Sequence, residues 1–317
     1  MKTKLFTLIL FLVTLTTVNA QQISVVSPSN QTTLYTDLNE AINNADAGSI
    51  LYLSGGSFQV SDNTKITKKL SIIGIGHRST SDNVDGNTII MGNLNFGQGS
   101  DGSVLTGIYS GSRVYIYCDN ILIRYCRIDA IMAGNYRNNI SINQNYVNHI
   151  DGAGSVLNVT NNIIHIIHRI DGGRITNNII ERSQSPGIQL IKNSIIKNNI
   201  ILSDDCYVFI GSNNTDNIVS NNIAPISFGE NCIVLADIQG ALFVGPNNGV
   251  NASSNFHLKG SAGKNAGTDG TDIGIYGGET GFKDNALPPG PRIVSKKIGE
   301  QTDENGNLSI ELTVTAE

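Results

Sequence analysis

Between Ile121 and Ala224 one eight-residue phrase occurs six times: ILIRYCRI, ISINQNYV, LNVTNNII, GRITNNII, SIIKNNII and NIVSNNIA, starting at 121, 140, 157, 173, 194 and 217. Self-similarity at a short period identifies a solenoid, in which each repeat buries its apolar face only against its neighbours. The intervals of 19, 17, 16, 21 and 23 residues are too short for helix pairs and too irregular for leucine-rich repeats, but fit one coil of a three-strand β-helix. Positions three and eight are almost all Ile or Val and are expected to point inward, because side chains alternate along a strand. The sixth position is Cys126, then Asn145, Asn162, Asn178, Asn199 and Asn222. It is assigned to the tight turn between two strands, where Asn tolerates left-handed backbone and can bond the Asn one coil away, forming an internal asparagine ladder.

Residues 1–20 have the pattern of a secretory signal peptide: Lys2 and Lys4, the apolar run LFTLILFLVTL, and Val18-Asn19-Ala20 before a cut near Ala20. The mature chain is therefore expected to be exported, as a secreted, periplasmic or cell-surface protein. No later apolar run reaches membrane-spanning length. With 21 Lys and Arg against 26 Asp and Glu, the formal net charge is −5, and no basic run offers a nucleic-acid or membrane patch. Trp is absent, so any platform for stacking sugars must use Tyr or Phe.

The N-side segment LYTDLNEAINNADAGSILYLSGGSF (34–58) followed by ITKKLSIIGIG (66–76), the repeated phrases, and the C-side segment SNFHLKGSAGKNAGTDGTDIGIYGG (254–278) together resemble a parallel β-helix protein of the pectate-lyase-like superfamily, in its secreted bacterial branch. That resemblance implies an all-β, right-handed, single-stranded parallel β-helix over 21–278, one domain, with a capping helix. Leu38, Ala41, Ile42 and Ala45 recur at helical spacing, which places that helix at 36–46 with Thr36 as its cap. The Gly- and Pro-rich stretch 279–291 reads as a linker. Residues 292–317 read as a β-hairpin turning at Asn305-Gly306, whose alternating Leu308, Ile310, Leu312 and Val314 are expected to pack on the last coil, since a lone hairpin is marginal in water.

In the family, the outer strand face commonly carries a substrate groove, which implies a polysaccharide partner for a monomeric chain. The residues expected there are His168, Arg169, Gln189 and Lys192, with Asp204 and Asp205 in the adjoining loop. A lyase removes the proton α to a uronate carboxylate and needs a base and a cation, roles open to His168, Arg169 and Lys192, with Gln189, Asp204 and Asp205 binding substrate. Counting from the ladder aligns His168 with Gln189 but aims Arg169 inward, so either the register slips or the Arg is paired inside. Three residues beyond each ladder position come Asp129, Asn148, His165 and Glu181, a polar row in which His165 and Glu181 are neighbours and form an alternative acid/base pair. A hydrolase needs two carboxylates at defined separation, and Glu181 lacks an evident second one.

The acidic calcium cluster and the motif series of the catalytic family members are missing. The reading therefore stays divided between a carbohydrate-active enzyme, a lyase before a hydrolase, and a non-catalytic glycan-binding or surface-interaction protein. No metal ligands are assigned: no cysteine has a second cysteine or a histidine at close ligand spacing, and Asp269 and Asp272 read as turn formers. A calcium ion in that segment is the one cofactor considered, and none is required. Cys206 and Cys232 are expected on the same strand of neighbouring coils, as stacked buried thiols in preference to a disulfide.

Overall fold

The computed structural model describes residues 21–78, 86–181, 187–202, 214–245, 254–285, 287–290 and 292–315. The six phrases lie on top of one another in parallel register: Ile123 faces Ile142, Ile142 faces Val159, Val159 faces Ile175, Ile175 faces Ile196, and Ile196 faces Val219. The chain is a parallel β-solenoid of about eight turns followed by a two-stranded antiparallel sheet. Period-two alternation does what the pattern requires. At position three Ile123, Ile142, Val159, Ile175 and Ile196 are fully buried, and at position eight so are Val147, Ile164, Ile180 and Ala224.

The ladder forms as expected and is wholly buried. Asn178 shows its wiring: Nδ2 donates to the carbonyls of Val159 (2.8 Å) and Thr176 (3.0 Å) and lies 3.0 Å from Asn199 Oδ1, which also accepts the Asn178 backbone N–H at 2.9 Å. Asn145, Asn162 and Asn199 repeat the pattern. Cys126 occupies the first rung, its thiol donating to Arg124 O at 3.1 Å, and burial pushes that thiol up to about 12. One detail of the expectation is corrected. The left-handed residue is not the ladder Asn but the one before it: Tyr125, Gln144, Asn161, Asn177, Asn198 and Asn221 have φ between 53° and 57°. The doubled Asn of the phrase thus divides the work, the first residue making the turn and the second filling the interior.

At the N-side, Ile23–Val26 pairs antiparallel with Thr32–Tyr35 and Ile50–Leu53. The helix spans Leu38–Asn44, shorter than 36–46, and Asp37 rather than Thr36 caps it, accepting the N–H groups of Asn39 and Glu40. Its Leu38, Ala41 and Ile42 join the same core as the coils.

The C-terminal third departs most from expectation. Segment 254–285 runs back along the outside of the stack, from Ala266 beside the last phrase to Lys283 beside Tyr125. The stretch read as a linker continues this docking, with Phe282 and Leu287 buried and Asp284 O accepting from Arg78 at 2.6 Å. The final hairpin, Arg292–Thr302 with Leu308–Thr315, forms with the expected turn, but Leu308, Ile310, Leu312 and Val314 are 45–59 % exposed, so it does not pack on a coil as its apolar alternation suggests. Among the described residues no helix is long and apolar enough to cross a membrane.

Candidate functional site

The site follows from one row of side chains, position seven of the phrase. Register places Tyr109, Arg127, Tyr146, Ile163, Ile179, Ile200 and Ile223 one above another on the outside of the solenoid. From Ile163 onward the row is apolar and lies under the returning segment, packed with Ile273, Ile275, Phe256 and Phe282. Tyr109 and Arg127 stand outside that cover, while Tyr146, 7 % exposed, is the first residue to be packed into it. Arg127 is layered between two rings, 5.5 Å from the centroid of Tyr109 and 5.2 Å from that of Tyr146, an arrangement held by cation–π attraction. Together with Asp129 and Asn148 these side chains line a shallow hollow of about 190 Å³.

The neighbouring outward row brings His165 beside Glu181, the adjacency expected from the sequence. His165 Nε2 lies 3.5 Å from Glu181 Oε2 and shares a 3.0 Å hydrogen bond with the Tyr146 hydroxyl. Burial and the Glu181 charge raise the Tyr146 phenol above its ordinary value, so it stays protonated and can donate to His165. Asp129 accepts from Asn148 Nδ2 at 2.9 Å. Asp129 and Glu181 stand three rungs apart on this row, about 14 Å at one strand spacing per rung, beyond the window in which two carboxylates cleave a glycosidic bond.

A second polar group sits at the next corner of the coil, where Tyr115, Met132, Asp151, His168 and Gln189 are in register. The alignment of His168 with Gln189 is as expected. The difficulty with Arg169 is resolved by its backbone: with φ 56° it breaks the alternation, turning its side chain outward and back to Asp151 one coil earlier. Arg169 Nε donates to Asp151 Oδ1 at 2.8 Å, Nη2 donates to Oδ2, and the Ala153 N–H adds a third bond at 3.1 Å. Burial acts to raise the Asp151 carboxyl, but these donors prevail and hold it below the usual carboxylate range. Gly152 makes the corner possible, since a Cβ there would stand 2.6 Å from Arg169 O. His149, on the coil of Asp151, turns Nε2 toward Nε2 of His168, with the rings nearly parallel and 4.5 Å apart. Further along the same face Tyr115 and Tyr117 stack at 6.2 Å, and Tyr136 is 77 % exposed.

Of the residues expected to act together, the fold unites His168 and Arg169 and places Gln189 on the adjoining rung. Lys192 is not brought to them. It lies beyond the next corner, turned by Leu190 at φ 54°, and is paired in register with Asp171. Asp204, Asp205 and Cys206 lie outside the described residues, while Cys118, Cys126 and Cys232 are free thiols. Asp269 is a turn former as read, accepting both the N–H and hydroxyl of Thr271. Sequence reasoning missed His149, Asp151, Tyr146 and Arg127. The last two break the apolar run at position seven and were visible as such. The first two were countable as well: Asp151 and His168 each stand six residues beyond a ladder Asn, in a register that is unbroken from Tyr146 to Asp151. A scan against protein-family models finds no match for this chain, and neither does a search of curated proteins.

Proposed function

We propose that this protein is an exported, polysaccharide-interacting β-solenoid of pectate-lyase-like architecture, whose uncovered face holds an extended glycan along the stack. The observation that carries this reading is the run of aromatic and hydrogen-bonding side chains on that face: Tyr109 and Arg127 in one row, with the buried Tyr146 ring behind Arg127, and Tyr115, Tyr117 and Tyr136 at the corner. Sugar rings stack on such aromatic faces while their hydroxyls bond the polar neighbours, and Arg favours glycans carrying carboxylates. Repetition every strand spacing suits a linear polymer. Export rests on the N-terminal pattern of residues 1–20.

Binding without turnover is the first reading, because the geometry opposes the expected lyase set: Arg169 is neutralised by Asp151, and Lys192 is elsewhere. The lyase reading keeps one supporting observation, the imidazoles of His149 and His168 beside that ion pair. Titration of the mature chain with acidic and neutral oligosaccharides of increasing length is expected to give affinity that rises with length over several sugars, and Tyr117→Ala with Tyr136→Ala to reduce it about tenfold, the value of one or two lost stacking contacts. Absence of binding across acidic and neutral polymers would remove this reading. Release of reducing ends with new ultraviolet absorbance would establish a lyase instead.

A further inference from the structure

We propose that His149, Asp151 and His168 form a binding site for a divalent first-row transition metal of the zinc class. One ligand atom from each of the three lies within 4.8 Å of the others. The convergence is built by the solenoid. Asp151 and His168 face each other in register on adjacent coils, one strand spacing apart, and His149 stands two residues before Asp151 on the same strand, which returns its side chain to the same outward side. All three belong to strands rather than loop tips, so the donors are held by the coil stack.

The donor set selects the ion. Two imidazole nitrogens and one carboxylate oxygen suit zinc, copper, nickel or iron, whereas calcium and magnesium take oxygen ligands. Facing Nε2 atoms can share only one proton between them, so in the metal-free chain one imidazole donates and the other accepts. An ion replaces that proton, and side-chain rotation opens the pair to the roughly 3.3 Å that two nitrogens 2.0–2.1 Å from a tetrahedral centre require. The carboxylate has room for the ion as well. An ionised carboxylate offers about four lone-pair positions. Arg169 and the Ala153 amide together use three, two on Oδ1 and one on Oδ2, which leaves one on Oδ2. Arg169 then serves as the outer partner that fixes the orientation of the ligating carboxylate. With three protein ligands and both imidazoles half-exposed, the coordination sphere stays open to water or to an anionic group. The site does not depend on the glycan reading, and its test measures the metal directly.

The experiment is titration of the full mature chain, stripped with chelator, with Zn²⁺ in a buffer containing excess Ca²⁺, alongside the absorption spectrum with Co²⁺. One Zn²⁺ per chain is expected, with His149→Ala and His168→Ala each weakening binding at least tenfold and His257→Ala leaving it unchanged. Co²⁺ is expected to give ligand-field bands without thiolate charge transfer, since none of the three ligands is a cysteine. Because the cobalt spectrum is read on the unaltered chain, absence of those bands overturns the proposal even if the variants fail to fold. A thiolate band, full affinity in both histidine variants, or displacement by Ca²⁺ would also overturn it.

Discussion

The two halves of the position-seven row obey the same fold and differ in what covers them. Tyr109, Arg127 and Tyr146 face outward and are aromatic or charged, while Ile163, Ile179, Ile200 and Ile223 face outward and are apolar. The change coincides with the returning segment, and the residue before the ladder changes with it. Tyr125 and Gln144 precede the covered half; Asn161, Asn177, Asn198 and Asn221 clasp the segment, donating to the carbonyls of Ile275 and Gly277, Gly274, and Ala266 or bonding Thr268. A solenoid has no inside for its outer face, so an outward apolar row must be hidden by more of the same chain or by a partner. Here the chain hides the isoleucine half of the row together with the Tyr146 ring, and leaves Arg127 and the half-buried Tyr109 available to a ligand.

The strongest test of that division puts a charge under the cover. Ile179→Asp buries an unpaired carboxylate and is expected to cost about 4 kcal/mol, read as a fall in thermal unfolding temperature, with segment 254–285 becoming open to protease. The matching change in the open half, Arg127→Ile, removes two ring contacts and is expected to shift stability by no more than about 1 kcal/mol. Equal losses at the two positions would show that the returning segment does not define the halves.

The ladder crosses the boundary and should be indifferent to it. Asn178→Leu strands the Asn162 amide and two carbonyls that now accept from Asn178, for an expected loss of about 3 kcal/mol by urea unfolding, since each abandoned buried group costs about 1–3 kcal/mol. A variant that melts like the parent would mean that the interior tolerates an apolar rung.

What was legible in the sequence follows from how far each interaction reaches. Inward positions three and eight and the ladder depend on a pattern repeated every coil, so they could be read from the phrase itself. The adjacency of His165 and Glu181 was readable for the same reason, since both are counted from a ladder Asn. Arg169 could not be placed, because a single left-handed residue reverses the alternation and nothing in the residue type Arg announces it. The cluster of His149, Asp151 and His168 lies before that break, in unshifted register with the ladder, and was within reach of the same counting. The returning segment was read as a closing piece and a linker, because its glycines and prolines satisfy turn chemistry locally. The Ile residues it covers gave the missing signal: four outward isoleucines in succession need a lid.

The open half carries a pH liability of its own. His77 is buried, neither ring nitrogen has a hydrogen-bond partner among the described residues, and burial, followed by the charges of Arg78 and Arg127, pushes its pKa down to about 3 from 6.5. Above pH 6.5 the imidazole is neutral in both folded and unfolded chains and contributes nothing. As pH falls below 6.5 the unfolded chain gains a proton that the folded one refuses, so stability declines until the folded pKa is reached. Between pH 7 and 4.5 the expected loss from this residue is about 2–3 kcal/mol, and His77→Leu should flatten that part of the profile. An unchanged slope in the variant would assign the acid sensitivity to other groups.

The smallest expected difference compares two residues with the same left-handed backbone on either side of the boundary. Asn161 Nδ2 reaches the carbonyls of Ile275 and Gly277, both at 2.8 Å, and is buried by doing so. Gln144 occupies the same place one coil earlier and bonds only a side chain, the Tyr125 hydroxyl at 3.2 Å. Asn161→Ala abandons two carbonyls of the returning segment and is expected to cost about 2 kcal/mol, against less than about 1 kcal/mol for Gln144→Ala, which gives up a single neutral side-chain bond. Alanine also pays for the left-handed turn at both sites, and that cost cancels in the comparison. Hydrogen exchange locates the remainder: the amides of Ile273 and Gly274 should lose protection in the first variant and keep it in the second. Equal deprotection would mean that the isoleucine row alone holds the segment, and that the doubled asparagine serves the turn and nothing beyond it.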